Sequence, residues 1–428
     1  MSSEDSEARS GGAERDQAAG LTPSDTYTSP TSTNAGSSAS DDDDGDATVS
    51  AAAYTPRHGD TGEIDVGALR RALAEAVARD SGRPPRRPDR ALAADLKDAV
   101  TLRAALLVIA VLGLGIGFIV SYVGGLHHPT PRNLPVDVVA PASVQAQTIT
   151  GLEALPGQPL SPRLVGSVDT AQRRVADRTS MGAFVINPTG ATDTLYVASA
   201  AGPSLATALT QIFGAVDAGN RRTVHVVDLV PVAAGDSGGL ATFYMAIGWT
   251  VAGYLIASIL GVSAGSRPST PLRAVIRLVV LALCAFAAAV VGTWIVQHIL
   301  GALPGPFWPM VLVGTLLVFA AGALTVALQV AFGVIGIGVA VLLFVILGNP
   351  SAGGAFARAL LPPFWRSIGA FLPPGAGTDA ARSVAYFGGQ HTGQPLVVLG
   401  AYCAVGLIAA VLLAALIRPQ ASPQKNVY

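Results

Sequence analysis

Gly235-Asp236-Ser237-Gly238-Gly239 is the stretch of this chain whose residue types and order could do covalent chemistry. A serine in such a loop can attack an acyl carbon when a histidine takes its proton, an acid orients that histidine and an oxyanion hole waits for the carbonyl oxygen. The available histidines are His225, a dozen residues upstream, and His127 and His128 at the end of the first apolar segment. The motif also lies just before another apolar segment, where Gly, Asp and Ser are ordinary linker residues. Because a motif counts only with its structural context, these five residues are read as a linker and no enzyme activity is expected.

Other chemistry is sparse. The sequence has no G-x-x-x-x-G-K-[ST] loop to cradle phosphates, so it offers no ATP hydrolysis by that route. It has no His-Glu-x-x-His and no His/Cys cluster, and neither a metal nor another cofactor is expected. Cys284 and Cys403 both fall in apolar segments, as small hydrophobes, which leaves no thiol for a disulfide in the polar region. Apart from Arg277 at a margin, the interiors of the apolar segments carry no ionisable residue. Ion-coupled pumps place carboxylates or histidines at depth, so a translocation role would need energy from another subunit. His298, at the end of the third segment, reads as a solvated interfacial residue. No nucleic-acid partner is expected.

The elements that must position these residues are dominated by apolar runs. One lies at 102–123, followed by a polar stretch and then five more near 243–262, 278–296, 310–328, 330–348 and 396–417. Each is roughly twenty residues, enough for a helix to cross a hydrocarbon core of about 30 Å, and helices satisfy their own backbone in lipid. Half of the 428 residues are hydrophobic and 13% are charged, with mean hydropathy +0.49. The expected fold is a polytopic α-helical membrane protein with six transmembrane helices, one then five, and a small α/β extracytoplasmic domain between the first and second. The first segment begins too late and runs too long for a cleavable leader, so a signal anchor is expected.

Arginine sets the expected orientation. Arg83, Arg86, Arg87, Arg90, Lys97 and Arg103 precede or open the first segment, Arg267, Arg273 and Arg277 follow the second, and Arg418 and Lys425 follow the last. The connection 297–309 has neither Arg nor Lys. Positive-inside reasoning puts both termini in the cytoplasm of a plasma-membrane protein. Arg358, Arg366 and Arg382 fall on the outer side in this scheme, an exception inside a connection long enough to be folded.

The expected regions are a disordered acidic cytoplasmic tail at 1–60 with Asp41 to Asp44, cytoplasmic amphipathic and juxtamembrane helices at 61–101, the first transmembrane helix at 102–123, the α/β domain at 124–241, the five-helix domain at 242–417 with its outer loop 349–395, and a cytoplasmic tail at 418–428. Within 61–101, Ile64, Val66, Leu69, Leu73 and Val77 share a helical face flanked by Arg70, Arg71 and Arg79, suited to a membrane surface or a cytoplasmic partner; a second short helix is expected at 91–100. Within 124–241, strands are expected at 136–139, 183–186, 194–197 and 223–230, a helix at 170–178 capped by Asp169, and a helix at 204–216 capped by Ser204. Gly113 and Gly117 in the first segment, and Gly333 and Gly336 in the fifth, are candidate helix-packing positions, in a bundle or a homodimer. The Pro-broken apolar middle of the outer loop is expected to re-enter or lie on the outer leaflet as a structural lid.

Three stretches carry a resemblance. Ser121-Tyr122-Val123-Gly124-Gly125-Leu126-His127-His128-Pro129-Thr130-Pro131, with Leu134-Pro135-Val136-Asp137-Val138-Val139, resembles the first-span exit of actinobacterial membrane proteins related to the phage infection protein (Pip) group. Asp228-Leu229-Val230-Pro231 and the stretch 361–389, with Phe364-Trp365, Leu372-Pro373-Pro374-Gly375 and Tyr386-Phe387-Gly388-Gly389, do so too. That group is similar to the membrane subunits of type 2 ABC exporters. The resemblance covers about residues 95–420. It implies export driven by a separate cytoplasmic P-loop ATPase subunit; an amphiphilic or apolar cargo is expected, and Arg267, Arg273 and Arg277 are the candidate contacts with that ATPase. The alternative is an envelope scaffold, type VII secretion accessory or phage-receptor-like protein whose outer domain is the working part.

Overall fold

Thr101 leaves the helical region and its hydroxyl accepts from the Ala104 amide at 3.1 Å, an N-cap that starts helix α1, Leu102–Leu126. The computed structural model describes residues 101–263, 265 and 270–417, with Gly67, Arg70 and Arg71, which are helical. The expected tails 1–60 and 418–428, most of 61–100, and Arg267 lie outside the described residues.

After α1 comes a mixed five-stranded sheet. Its strands are β1 (Leu134–Val139), β2 (Leu160–Leu164), β3 (Ala183–Val185), β4 (Thr192–Val197) and β5 (Thr223–Asp228), in spatial order β2-β1-β3-β4-β5. Strand β1 pairs in parallel with β2 and β3, β3 runs antiparallel to β4, and β4 pairs in parallel with β5. Parallel neighbours need crossovers, and helices α2 (Gln145–Glu153), α3 (Val168–Ala176) and α4 (Pro203–Gly219) supply them. Leu205, Leu209 and Phe213 form the buried stripe of α4 and pack with Val136, Val138, Phe184 and Leu195 from the sheet. Inside β1, Asp137 is fully buried and bound by Arg163 at 3.1 Å and Arg174 at 2.6 Å. Buried Asp193 of β4 is held by Arg222, with Nε 2.6 Å from Oδ2. The helix expected at 170–178 begins slightly earlier, capped by Ser167 rather than Asp169. The expected cap at Ser204 is displaced by Gly202, because Pro203 takes the first helical position.

Among the described residues, five helices are long and apolar enough to cross a membrane, which marks the chain as a multi-pass membrane protein. Besides α1 they are α5 (Ala241–Ser263), α6 (Pro271–Trp294, extended by a π-helical turn Ile295–Ile299), α7 (Phe307–Phe332) and α11 (Gly393–Leu416). The apolar run expected at 330–348 is divided. Helix α7 continues to Phe332 and stops at Gly333, whose φ of 64° fits a glycine end-cap. A shorter helix, α8, occupies Ile335–Ser351 and is π-helical over Leu342–Gly348.

Helix α7 is the centre of the helical body, packed by α5, α6, α8 and α11. Glycines set the closest crossings. A Cβ at Gly253 of α5 would stand 2.3 Å from the Val318 carbonyl oxygen, and one at Gly406 of α11 would stand 2.6 Å from the Ala323 carbonyl carbon. Helix α1 stands apart, with few buried residues along its apolar length. It leans on α8, where the Ser121 hydroxyl donates to the Ile346 carbonyl and the Asn349 amide donates to the Tyr122 hydroxyl.

The connection 349–395, expected to re-enter or to lie on the outer leaflet, is folded. It contains α9 (Pro363–Gly369) and α10 (Pro373–Tyr386), and α10 is buried along nearly all its length, packed on α5, α7 and α11. Pro373 and Pro374 open this helix, where a missing N–H costs nothing. Gly375, Ala376, Gly377, Ala380 and Ala381 make it thin enough to insert.

Candidate functional site

Charge collects where the α/β domain meets the helical body. Helix α10 presents Asp379, Arg382, Ser383 and Tyr386 at i, i+3, i+4 and i+7, one helical face. Facing them is Arg178, just past the end of α3, with a φ of 59°. That left-handed backbone is uncommon outside glycine and sits here at a helix end. Arg178 Nη1 donates to the Ser383 hydroxyl at 2.7 Å, and Nη2 lies 3.6 Å from Asp379 Oδ1. Its guanidinium carbon is 5.2 Å from the centroid of the Phe387 ring, a cation–π distance. Arg358 donates to the other Asp379 oxygen.

Arg382 differs from its neighbours. It is 4% exposed and donates to the Gly353 carbonyl at 3.3 Å. Among the described residues it forms no ion pair with a carboxylate. Burial pushes its guanidinium below the usual arginine value; Arg178 and Arg358 push the same way, while Asp379 and Asp236 oppose. These side chains border a cavity of about 280 Å³ between the domain and the body. Arg132, Arg178, Arg358, Arg366 and Arg382 line it together with Asp379, the one carboxylate in its wall. Leu134, Val175 and Leu205 supply an apolar side. Guanidiniums do not titrate near neutrality, so the cavity is built for electrostatic holding and not for proton transfer.

The Gly235–Gly239 loop lies at the same junction and works as a helix start. Asp236 Oδ1 accepts from the Leu240 and Ala241 amides, both at 2.9 Å, at the first turn of α5. Its Oδ2 accepts from the Tyr386 hydroxyl at 3.0 Å. A Cβ at Gly235 would lie 2.5 Å from the Gly301 carbonyl oxygen, and Gly239 has a φ of 63°. Ser237 is exposed. His225 is exposed on β5 and the His127 ring bonds the Val123 carbonyl at 2.9 Å. Among the described residues, no three His, Cys, Asp or Glu side chains are grouped to hold a metal ion.

The other sequence candidates scatter. Arg273 is exposed at the start of α6, whereas Arg277 is 9% exposed because it shares the inward face of Ala274, Leu278 and Leu281. Gly113 faces nothing within 4 Å, and a Cβ at Gly117 would meet Ile346 at 3.8 Å. Gly333 serves the turn after α7, while Gly336 packs so closely that a Cβ would lie 2.3 Å from the Leu328 carbonyl oxygen.

No family model, curated protein or solved structure matches the chain. The charged cavity itself was not anticipated from sequence. A signal was nevertheless present, since Arg358, Arg366 and Arg382 are the cations that stood as exceptions to the orientation expected from sequence. Charges that violate a topological rule need another reason to be where they are.

Proposed function

We propose that the chain is the membrane subunit of an exporter, driven by a separate cytoplasmic ATPase. In this reading α8 is the sixth span, the α/β domain is extracytoplasmic, and both termini lie in the cytoplasm of a plasma-membrane protein. The arginine distribution of the short connections supports that orientation. Helix α8, about 26 Å long at 1.5 Å per residue, is short for a span but runs from the α7 turn at Gly333 to the α1 exit at Tyr122.

The observation that carries the reading is the unequal attachment of the helices. Helices α5, α6, α7 and α11 form a packed body with glycine-close crossings, while α1 touches that body chiefly through the π-helical part of α8. Moving α1 therefore disturbs few packed side chains, and in lipid no hydrophobic penalty opposes its separation. The α/β domain joins the lightly held helix to the body, an arrangement suited to rocking between access states. One span, an outer domain and five spans is also the layout implied by the resemblance of 121–139 and 361–389 to the phage infection protein group, which is similar to type 2 ABC exporter subunits.

The test is purification of the full chain in mild detergent, with mass spectrometry of what accompanies it. A P-loop ATPase should co-purify stoichiometrically and be released by Arg273→Glu, whose side chain is exposed. Recovery with secretion-machinery components instead would overturn the exporter reading in favour of an envelope accessory.

A further inference from the structure

The cavity at the junction holds more positive charge than its own residues balance. Five guanidiniums border it against one lining carboxylate, and Asp379 is already engaged by Arg178 and Arg358. The next carboxylate, Asp236, is engaged by Tyr386 and two α5 amides. Arg382 has five N–H donors and is 4% exposed, yet among the described residues it donates to one carbonyl oxygen, that of Gly353. A buried cation without an anion carries a large desolvation cost, while an anion that enters both neutralises it and fills its hydrogen bonds.

We propose that this cavity binds a phosphate group, with Arg382 as the innermost contact and Arg178, Arg358, Arg366 and Arg132 around it. Phosphate is favoured over carboxylate because its oxygens and greater charge can engage several guanidiniums at once. At about 280 Å³ the cavity is slightly smaller than the roughly 300–1,000 Å³ of drug-sized sites, so it suits a headgroup-sized moiety. Beside it, Phe364 on α9 and Phe371 just beyond are 56% and 64% exposed and flank Arg366. Exposed apolar rings there offer acyl chains a surface to lie on. The phosphate would come from a lipid headgroup or from free phosphate. The inference rests on the cavity and not on the exporter reading; phosphate binding is measured whether or not an ATPase co-purifies.

The experiment uses the full chain in nonionic detergent. Inorganic phosphate and succinate are titrated by calorimetry, and phosphatidic acid is compared with diacylglycerol by native mass spectrometry. A phosphate-bearing probe should bind, and Arg382→Met should weaken it at least tenfold. Without probe, this variant should melt no lower than the parent, since a buried Met needs no counter-ion. Should Arg382→Met fail to fold, the half-exposed Arg366→Gln keeps the test alive, with a several-fold loss of affinity expected. Binding of inorganic phosphate identifies free phosphate as a sufficient ligand, and binding of phosphatidic acid alone identifies the headgroup. No binding by either probe, unchanged binding in a folded arginine variant, or equal affinity for succinate overturns the proposal.

Discussion

Asp236 and Ser237 are neighbours with opposite burdens. The aspartate holds two amides of α5 and the Tyr386 hydroxyl, whereas the serine is exposed. Asp236→Ala should therefore lower stability by about 1–3 kcal/mol, the usual cost of leaving buried hydrogen-bonding groups without a partner, and Ser237→Ala should stay within about 0.5 kcal/mol of the parent. Thermal melts of the detergent-purified variants check both. A second buried aspartate gives a pH signature. Asp217 closes the apolar stripe of α4 with its Oδ2 unbonded. Burial, helped by Asp193 and opposed by Arg222, pushes its carboxyl up to about 6 from the ordinary 3.8. Between those values the folded chain keeps a proton that the unfolded chain releases. Stability should thus fall as pH rises through about 6 and level off above it. Asp217→Asn should flatten this dependence in melting curves recorded across that window.

Among the elements, glycine position decides what a methyl group does. Gly336→Ala would drive a Cβ to 2.3 Å from the Leu328 carbonyl oxygen, a backbone atom that cannot swing aside. A loss of about 1–3 kcal/mol is expected, as for an overpacked core. Gly113→Ala, with nothing within 4 Å, should be neutral or slightly stabilising through helix propensity. Melting of the two variants side by side separates these outcomes. The sequence shows that both segments contain close glycine pairs but not which member touches a neighbour, because that depends on a rotation set by other helices. The same limit runs through the α/β domain. Strands rich in β-branched residues were legible, while β2 was not, since Pro162 and Arg163 break its apolar pattern at a sheet edge. Helix α2, with a Gln- and Thr-rich run and one buried residue, Leu152, gave no amphipathic signal. Helix α10 was legible only in outline: its prolines and small residues suit a segment that re-enters or one that lies on the leaflet, and they are what lets this helix begin abruptly and sit deep. Its face of Asp379, Arg382, Ser383 and Tyr386 acquires meaning only beside Arg178, 201 residues or more away in sequence from each.

At the scale of the whole molecule, the contacts order the ends of the helices without reference to any membrane. Gly235 touches Gly301, Tyr386 touches Asp236, and Phe387 packs with the α/β domain, so these segments share one end of the helical body. Helix α5 leaves that end at Ala241, and α6 starts on the opposite side with Arg273 in its first turn. Proposed as six crossings, the chain must place Ser237 and Gln390 on one face of the membrane and Arg273 on the other. All three side chains are exposed, so single cysteines there can be labelled once Cys284 and Cys403 are replaced by alanine. In intact cells a membrane-impermeant maleimide should modify Ser237→Cys and Gln390→Cys, and should reach Arg273→Cys only after permeabilisation. The Gln390 position is the sharpest of the three, because its sidedness depends on α8. If α8 failed to cross while α7 did, Gln390→Cys would label with Arg273→Cys and the junctional cavity would be pulled apart across the bilayer. If all three positions label in intact cells, α5 does not cross, and the exporter reading loses the architecture on which it stands. If the pattern is inverted, the α/β domain faces the cytoplasm, and any phosphate reaching Arg382 comes from the inner leaflet or the cytosol.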